Sequence, residues 1–261
     1  MNKLNKNIVA VLFTPLFLLL IVYPLVALLV RLEWDGVANT FADTFFWLSV
    51  RNTLCAALLA ALLSLVLAVG FGYCYLFLKH TAIYKVANLM NDLPIALPHT
   101  VAGLTLLLAF GRKTCGFLGE TGLAFTLLAV VLAMFFVSYP LAARTVASGM
   151  DKMETEIIDV ARTLGDTPFK AYFRVVVPTL GEALFSGFVL AFSRSLSEFA
   201  AVVMFGGNLP GSTQVLASYV FTKVEEGELE MAVTASCFCV LLSLLIVATL
   251  SLRRRVWHAE R

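Results

Sequence analysis

Arg194 and Glu198 are the residues of this chain best placed to do chemistry in apolar surroundings. They stand four apart in the run Ala191-Phe-Ser-Arg194-Ser-Leu-Ser-Glu198, inside a long apolar segment. An ionisable side chain at the centre of a membrane helix costs about 2.5–3.5 kcal/mol on insertion scales, so each needs a reason to be there. At i and i+4 they share a helix face and can pair. Two readings stand. They form an internal ion pair that fixes a bundle, or they line a path through the membrane, with Ser193, Ser195 and Ser197 as nearby hydroxyl donors. Pro94 and Pro98 pose the same question in another segment. Each removes a backbone donor, and the freed carbonyls mark either a simple kink or a path lining. His99 and Thr100 follow directly, and His99 reads either as a satisfied interior histidine or as part of that lining.

A second constellation is the stretch DKMETEIIDVARTLGDTPFKAYFRVVVP, from Asp151 to Pro178. Nine of its first 24 positions are charged, against 14% of the whole chain. That density excludes it from lipid, so it is a large loop between spans. Asp151 and Glu154 fit a capping-box pattern, with Asp for the usual Ser or Thr. Met153, Ile157, Ala161 and Leu164 recur at helical spacing as one apolar face. Gly165 falls where a helix ends in the left-handed conformation. Thr167 and Pro168 then start a second helix as N-cap and first residue. Pro178 closes the motif. The outcome is a helix–Gly–helix corner, about 151–178, which either docks a soluble partner or lies as a solvated loop on the lipid surface.

The elements that must position these groups are membrane helices. The chain has 261 residues, is 60% hydrophobic and contains 21 Phe, with a mean hydropathy of +0.91. Soluble domains average about 45–50% apolar and about 25% charged. The expected fold class is an all-α polytopic membrane protein with about six transmembrane helices, near 8–30, 52–77, 86–110, 122–143, 179–205 and 231–252. One domain, 1–261, is expected. The first segment is long enough to span and shows no small-residue cleavage site, so it reads as an uncleaved span. Small residues recur every four positions at Ala56, Ala60, Ser64, Ala68 and Gly72, and at Ala183, Gly187, Ala191 and Ser195. Each series lets another helix approach closely.

Thirteen Lys and Arg fall on the side of the N-terminus, among them Lys3, Lys6, Arg144, Lys152, Arg253, Arg254, Arg255 and Arg261. Five fall opposite: Arg31, Arg51, Arg112, Lys113 and Lys223. The positive-inside rule then places both termini and the charged loop in the cytoplasm, with outer loops at 31–51, near 112–121 and at 206–230. The five Cys (55, 74, 115, 237 and 239) are odd in number, scattered, and read as small apolar fillers.

The charged loop resembles the EAA motif of permease subunits of ATP-binding-cassette importers. Asp159, Val160, Ala161, Gly165, Val175, Val177 and Pro178 stand at that motif's spacings, with Asp for Glu, Val for the first Ala, and Val for Ile and Leu. Asp92-Leu-Pro94-Ile-Ala-Leu-Pro98, Val101-Ala-Gly103 and Phe110-Gly111 resemble the third-span region of oxyanion permeases. The run from Ala191 to Ala201, then Met204-Phe-Gly-Gly-Asn208-Leu-Pro210-Gly-Ser-Thr-Gln214, is similar to the molybdate branch, with sulfate and tungstate permeases close by. The resemblance implies an importer subunit that carries molybdate or another oxyanion across a prokaryotic inner membrane. It implies an ATPase dock at Glu156, Asp159, Ala161, Arg162, Thr163, Leu164, Gly165 and Pro178. On the path reading, Pro98, His99, Thr100, Arg194, Ser195 and Glu198 form the translocation path. Arg194 would lower the barrier to an anion there, and Glu198 would keep it from binding too tightly.

The implied partners are an ABC ATPase subunit that holds ATP and Mg, an extracytoplasmic oxyanion-binding protein, a second permease subunit (a homodimer), and membrane lipid. No nucleic acid and no cofactor on this chain are expected. No G-x-x-x-x-G-K-[ST] occurs here. Two other classes fit less well. An autonomous channel or carrier needs several buried acids, and Glu198 is the clearest one, with Asp92 and Glu182 nearer span ends. An intramembrane enzyme needs a nucleophile–base or metal set, which the Cys and His spacings do not supply.

Overall fold

In lipid a backbone must satisfy its own donors and acceptors, so these apolar segments have to be helices. The computed structural model describes residues 13–111, 122–154 and 156–259, without the side chains of 247 and 250–259. Lys3, Lys6, Cys115, Arg261 and the loop near 112–121 lie outside the described residues, as do the side chains of Arg253, Arg254 and Arg255. The helices are α1 (Phe13–Val30), α2 (Trp34–Ala42), α3 (Thr44–Leu78), α4 (Ala82–Ala96), α5 (His99–Phe110), α6 (Leu127–Asp151), α7 (Glu156–Thr163), α8 (Pro168–Thr179), α9 (Gly181–Leu196), α10 (Ala200–Gly206), α11 (Leu216–Glu225) and α12 (Leu229–Ala259). No strand occurs among the described residues.

Four helices are long and apolar enough to cross a membrane unaided: α1, α3, α6 and Leu229–Ile246 of α12. Counting each of two bent pairs as one crossing raises the number to six. The bent pairs correct the sequence expectation. The segment 86–110 is not one helix, because α4 and α5 meet at an angle of 118°. Pro98 is the cause. Its ring disfavours helical backbone at the preceding residue, and Leu97 is extended at φ −74° and ψ 138°. Pro94 lies within α4 without ending it. The segment 179–205 is also discontinuous. α8 turns by 74° into α9, and three residues lie between the end of α9 at Leu196 and the start of α10 at Ala200.

α6 runs through the middle of the bundle. The small-residue stripe of α3 faces it, and Ala56, Ala60, Ser64, Ala68 and Gly72 are all buried. Ser64 and Ser138 bring their hydroxyls within 3.2 Å across this contact. On the other side a Cβ at Gly187 would sit 3.4 Å from Ala142 Cα. Lipid offers no hydrophobic drive for helix association, so such close approach supplies the cohesion through dispersion. α1 buries no residue. The described thiols are all free: Cys237 is buried, Cys74 and Cys239 are half-buried, and Cys55 is exposed on α3.

Side-chain anchors tie the segment 206–230 to the start of α3. Asn52 Nδ2 donates to the carbonyls of Ser212 and Gln214 at 2.9 and 3.2 Å. Thr53 Oγ1 accepts from Leu216 N at 2.7 Å. Tyr219 donates to Asp43 Oδ2 at 2.7 Å, and burial together with that carboxylate pushes its phenol pKa well above the ordinary range.

Candidate functional site

Two backbone interruptions converge on one polar cluster. The first is the α4–α5 break, which puts His99 at the first position of α5. The second is the gap from Ser197 to Phe199 between α9 and α10. α5 and α10 cross closely, since a Cβ at Gly103 would lie 2.8 Å from Ala201 Cα and 2.6 Å from Met204 Cβ. That crossing brings His99 to the last turn of α9.

Glu198 is the centre of the cluster, and its side chain is 0% exposed. Its Oε2 lies 2.9 Å from Arg194 Nη2 and 3.0 Å from His99 Nδ1. Its Oε1 accepts from Ala201 N at 3.0 Å, which caps α10. Arg194 Nη1 donates to Ser197 Oγ at 3.1 Å, and Nη2 also lies 2.9 Å from His99 Nε2. Arg194 Nη2 lies 2.9 Å from His99 Nδ1 as well, so the guanidinium sits against both ring nitrogens while Nδ1 also faces Glu198. The carboxylate is thus fully enclosed, while Arg194 and His99 keep 23% and 39% of their side chains exposed. The open side of the cluster is its cationic side.

The other expected path residues divide. Pro98 and Thr100 are exposed beside His99. Ser195 is fully buried, and its hydroxyl has no partner. It faces the interior of the bundle, because one residue along a helix turns the side chain through about 100° from Arg194. Sequence reasoning set His99 beside this cluster as one of two options and did not foresee that Glu198 caps α10. The spacing Glu198 to Ala201 is the signal that could have found it.

The charged loop is built as a corner. α7 ends at a Schellman turn: Asp166 N bonds to Ala161 O and Gly165 N to Arg162 O, both at 3.1 Å. Gly165 has φ +96°. Thr167 Oγ1 accepts from Lys170 N at 3.4 Å, and Pro168 is the first residue of α8. Ile158 and Ala161 face the core beside Tyr172 and Val176. Tyr172 is buried and donates to Val69 O of α3 at 2.6 Å, so the corner is pinned to the bundle. Glu156, Asp159, Arg162 and Thr163 are exposed. A shallow cleft of about 440 Å³ runs past Asp159, Arg162, Thr163, Gly165 and Thr167.

Three details differ from expectation. Asp151 is not an N-cap. It is the last residue of α6, and its carboxylate accepts from Tyr75. Leu164 leaves the apolar face and is 83% exposed, because the Schellman turn rotates it outward. Val160 and Phe169 of the corner are exposed as well, which sequence periodicity missed. Pro178 does not end the helix. A π-turn at Tyr172–Val176 precedes it, and the bend falls at Leu180.

A multi-pass helical protein with broken helices at a buried ionic cluster, and a rigid corner outside the bundle, is built as a membrane transport component. The family described as "Binding-protein-dependent transport system inner membrane component" matches residues 64–257, and the chain belongs to that family. Among relatives, the "Sulfate transport system permease protein CysT" of Escherichia coli (strain K12) is 31% identical over 251 residues, 93% of this chain and 88% of the relative. The "Probable transport system permease protein NifC" of Clostridium pasteurianum is 27% identical over 257 residues, 95% and 90% of the two chains. The crystal structure of a bacterial alginate ABC transporter with its alginate-bound periplasmic protein shares the fold, with a TM-score of 0.79 at 14% identity over 97% of this chain and 96% of that one. The family and these names bear out an ABC importer permease.

Proposed function

We propose that this chain is the membrane-spanning subunit of an importer for a tetrahedral oxyanion, with sulfate the first candidate cargo. The observation that carries the reading is the cluster at the two helix breaks, where Arg194 and His99 form the open side and Glu198 is enclosed. A partly exposed cation beside interrupted helices lowers the barrier to an anion, and the buried carboxylate keeps net charge near zero so that the anion is not trapped. The relatives' names supply the cargo class. Molybdate is the second reading, favoured by the resemblance of residues 191–214 to that branch.

The corner from Glu156 to Thr179 is the dock for a separate ATPase that binds ATP and Mg. Its exposed Leu164, Phe169 and Val160 offer contact area, and Asp159 and Arg162 offer register. A second permease copy and an extracytoplasmic binding protein complete the complex. Both termini face the cytoplasm, on the charge distribution. Uptake of labelled sulfate into proteoliposomes holding the complex and its cognate binding protein, with molybdate and tungstate as competitors, tests the reading. ATP-dependent uptake displaced by an oxyanion supports it. Uptake indifferent to all three oxyanions overturns it, and a competition order led by molybdate moves the cargo to the second reading.

A further inference from the structure

On the corner side of the helix-break cluster, a cavity of about 690 Å³ opens between the adjoining ends of α6 and α9. Arg144, Ser148 and Lys152 line one wall, and Glu182 and Ser186 line the other. Arg144 is held in place: its Nε donates to Asp92 Oδ1 at 2.8 Å, which leaves its terminal amino groups for other acceptors. The side chains of Ser148, Lys152, Glu182 and Ser186 have no hydrogen-bond or ion-pair partner among the described residues. The 16-residue helix α9 begins at this cavity, with no side chain capping its N-terminus. A helix start adds partial positive charge and backbone donors.

We propose that this cavity binds a tetrahedral oxyanion through Arg144, Lys152, Ser148 and Ser186, and that Glu182 limits how tightly it is held. Two cations and two free hydroxyls around one space are the donor set a sulfate, molybdate or phosphate group takes. Ser186 precedes Arg194 by eight residues on α9, about 12 Å at 1.5 Å per residue. An anion leaving the cluster toward the corner meets this cavity next. As a stopping point for cargo the site rests on the permease reading above. As an oxyanion site it stands alone, and a phospholipid headgroup phosphate would satisfy the same donors.

The test uses Ser148→Cys in a chain whose native Cys are replaced, assembled with its ATPase and purified. An anionic thiosulfonate reagent should modify the introduced thiol at least about tenfold faster than a cationic one of similar size, the low end of what a focused potential gives. Lys152→Gln should erase that preference. Sulfate or molybdate should slow the modification severalfold, while chloride at equal ionic strength does not, and Glu182→Gln should deepen the protection. A second arm replaces free oxyanion with a nanodisc containing phosphatidylglycerol. Protection there alone keeps the site and assigns it to lipid. Equal rates for both reagents, with no protection in either arm, overturn the proposal. Co-purification of the ATPase checks assembly of every variant, and Ser186→Ala is a second probe if Lys152→Gln fails to assemble. Protection without uptake of any oxyanion in proteoliposomes refutes the cargo reading and leaves this site intact, so the two failures are distinguishable.

Discussion

Removing the Arg194 guanidinium should separate the two roles of the ionic cluster. The Glu198 side chain is 0% exposed, so its carboxylate depends on protein partners, Arg194 among them. In Arg194→Gln the carboxylate loses its 2.9 Å charged partner but keeps His99 at 3.0 Å and Ala201 N at 3.0 Å. Breaking a buried ion pair from one side costs about 3–5 kcal/mol. The two surviving bonds place this variant at the lower end, about 3 kcal/mol. Glu198→Gln should cost less, about 1.5–3 kcal/mol for a hydrogen bond to a charged group. Arg194 is 23% exposed and keeps Ser197, and glutamine can still accept from Ala201 N. The double variant has no stranded charge, so a coupling of about 0.5–3 kcal/mol should make it milder than the sum of the two. Thermal melting and yield of the assembled complex in detergent read this term. Uptake in proteoliposomes reads the other, and it should stay low in the double variant because the path cation is still absent. Recovery of uptake together with stability would refute the path role of Arg194. Unchanged melting of Arg194→Gln would refute the enclosed-pair energetics.

Gly165→Val should abolish ATPase co-purification while the chain still inserts, because φ +96° costs an L-residue about 1–2 kcal/mol and a β-branched one more. Gly165→Asn, which tolerates that conformation, should retain binding; no neighbour lies within 4 Å of a Cβ there, so the contrast isolates the backbone. Gly103→Ala should lower uptake and melt earlier by about 1–3 kcal/mol of overpacking, since its methyl meets the backbone of Ala201 at 2.8 Å; unchanged uptake would show that the α5–α10 crossing does not position His99. Single Cys at Ser212→Cys and Val256→Cys, in a Cys-free chain, should label from outside and inside respectively, and equal accessibility would refute the charge-based orientation.

The local signals proved readable where a residue type has one physical use. Gly165, Thr167 and Pro168 lie in the conformations their chemistry demands, and each small residue of the α3 stripe is buried. Pairing of Arg194 with Glu198 follows from i, i+4 spacing alone. What failed depends on distant partners. Asp151 resembles a cap in sequence, but Tyr75 of α3 claims its carboxylate and α6 absorbs it. The α9–α10 gap lacks any proline or glycine between Arg194 and Phe199. Glu198 within the gap accepts from Ala201 N, and α5 crosses there; the first is a signal in the gap itself, the second depends on a distant segment. The cavity between α6 and α9 was invisible because it too depends on distant partners, since its cations and hydroxyls come from segments on either side of the corner, with Lys152 and Ser186 34 residues apart.

The corner and the cluster are joined along the chain by α8 and α9. α8 is pinned to α3 by Tyr172, the chain bends at Leu180, and α9 then runs unbroken to the turn that holds Arg194. Fourteen residues separate Leu180 from Arg194, about 21 Å of helix. A tilt of about 10° at the bend therefore moves Arg194 by about 3–4 Å over that length. That displacement exceeds the 2.9 Å separating Arg194 from His99. His99 rides on α5, which packs closely on α10 at Gly103 and Ala201. If the corner docks an ATPase, as proposed above, a tilt at this bend is expected to shift Arg194 against His99 and Glu198. For that reason uptake in Gly165→Val is expected to fail although no atom near Arg194 has changed.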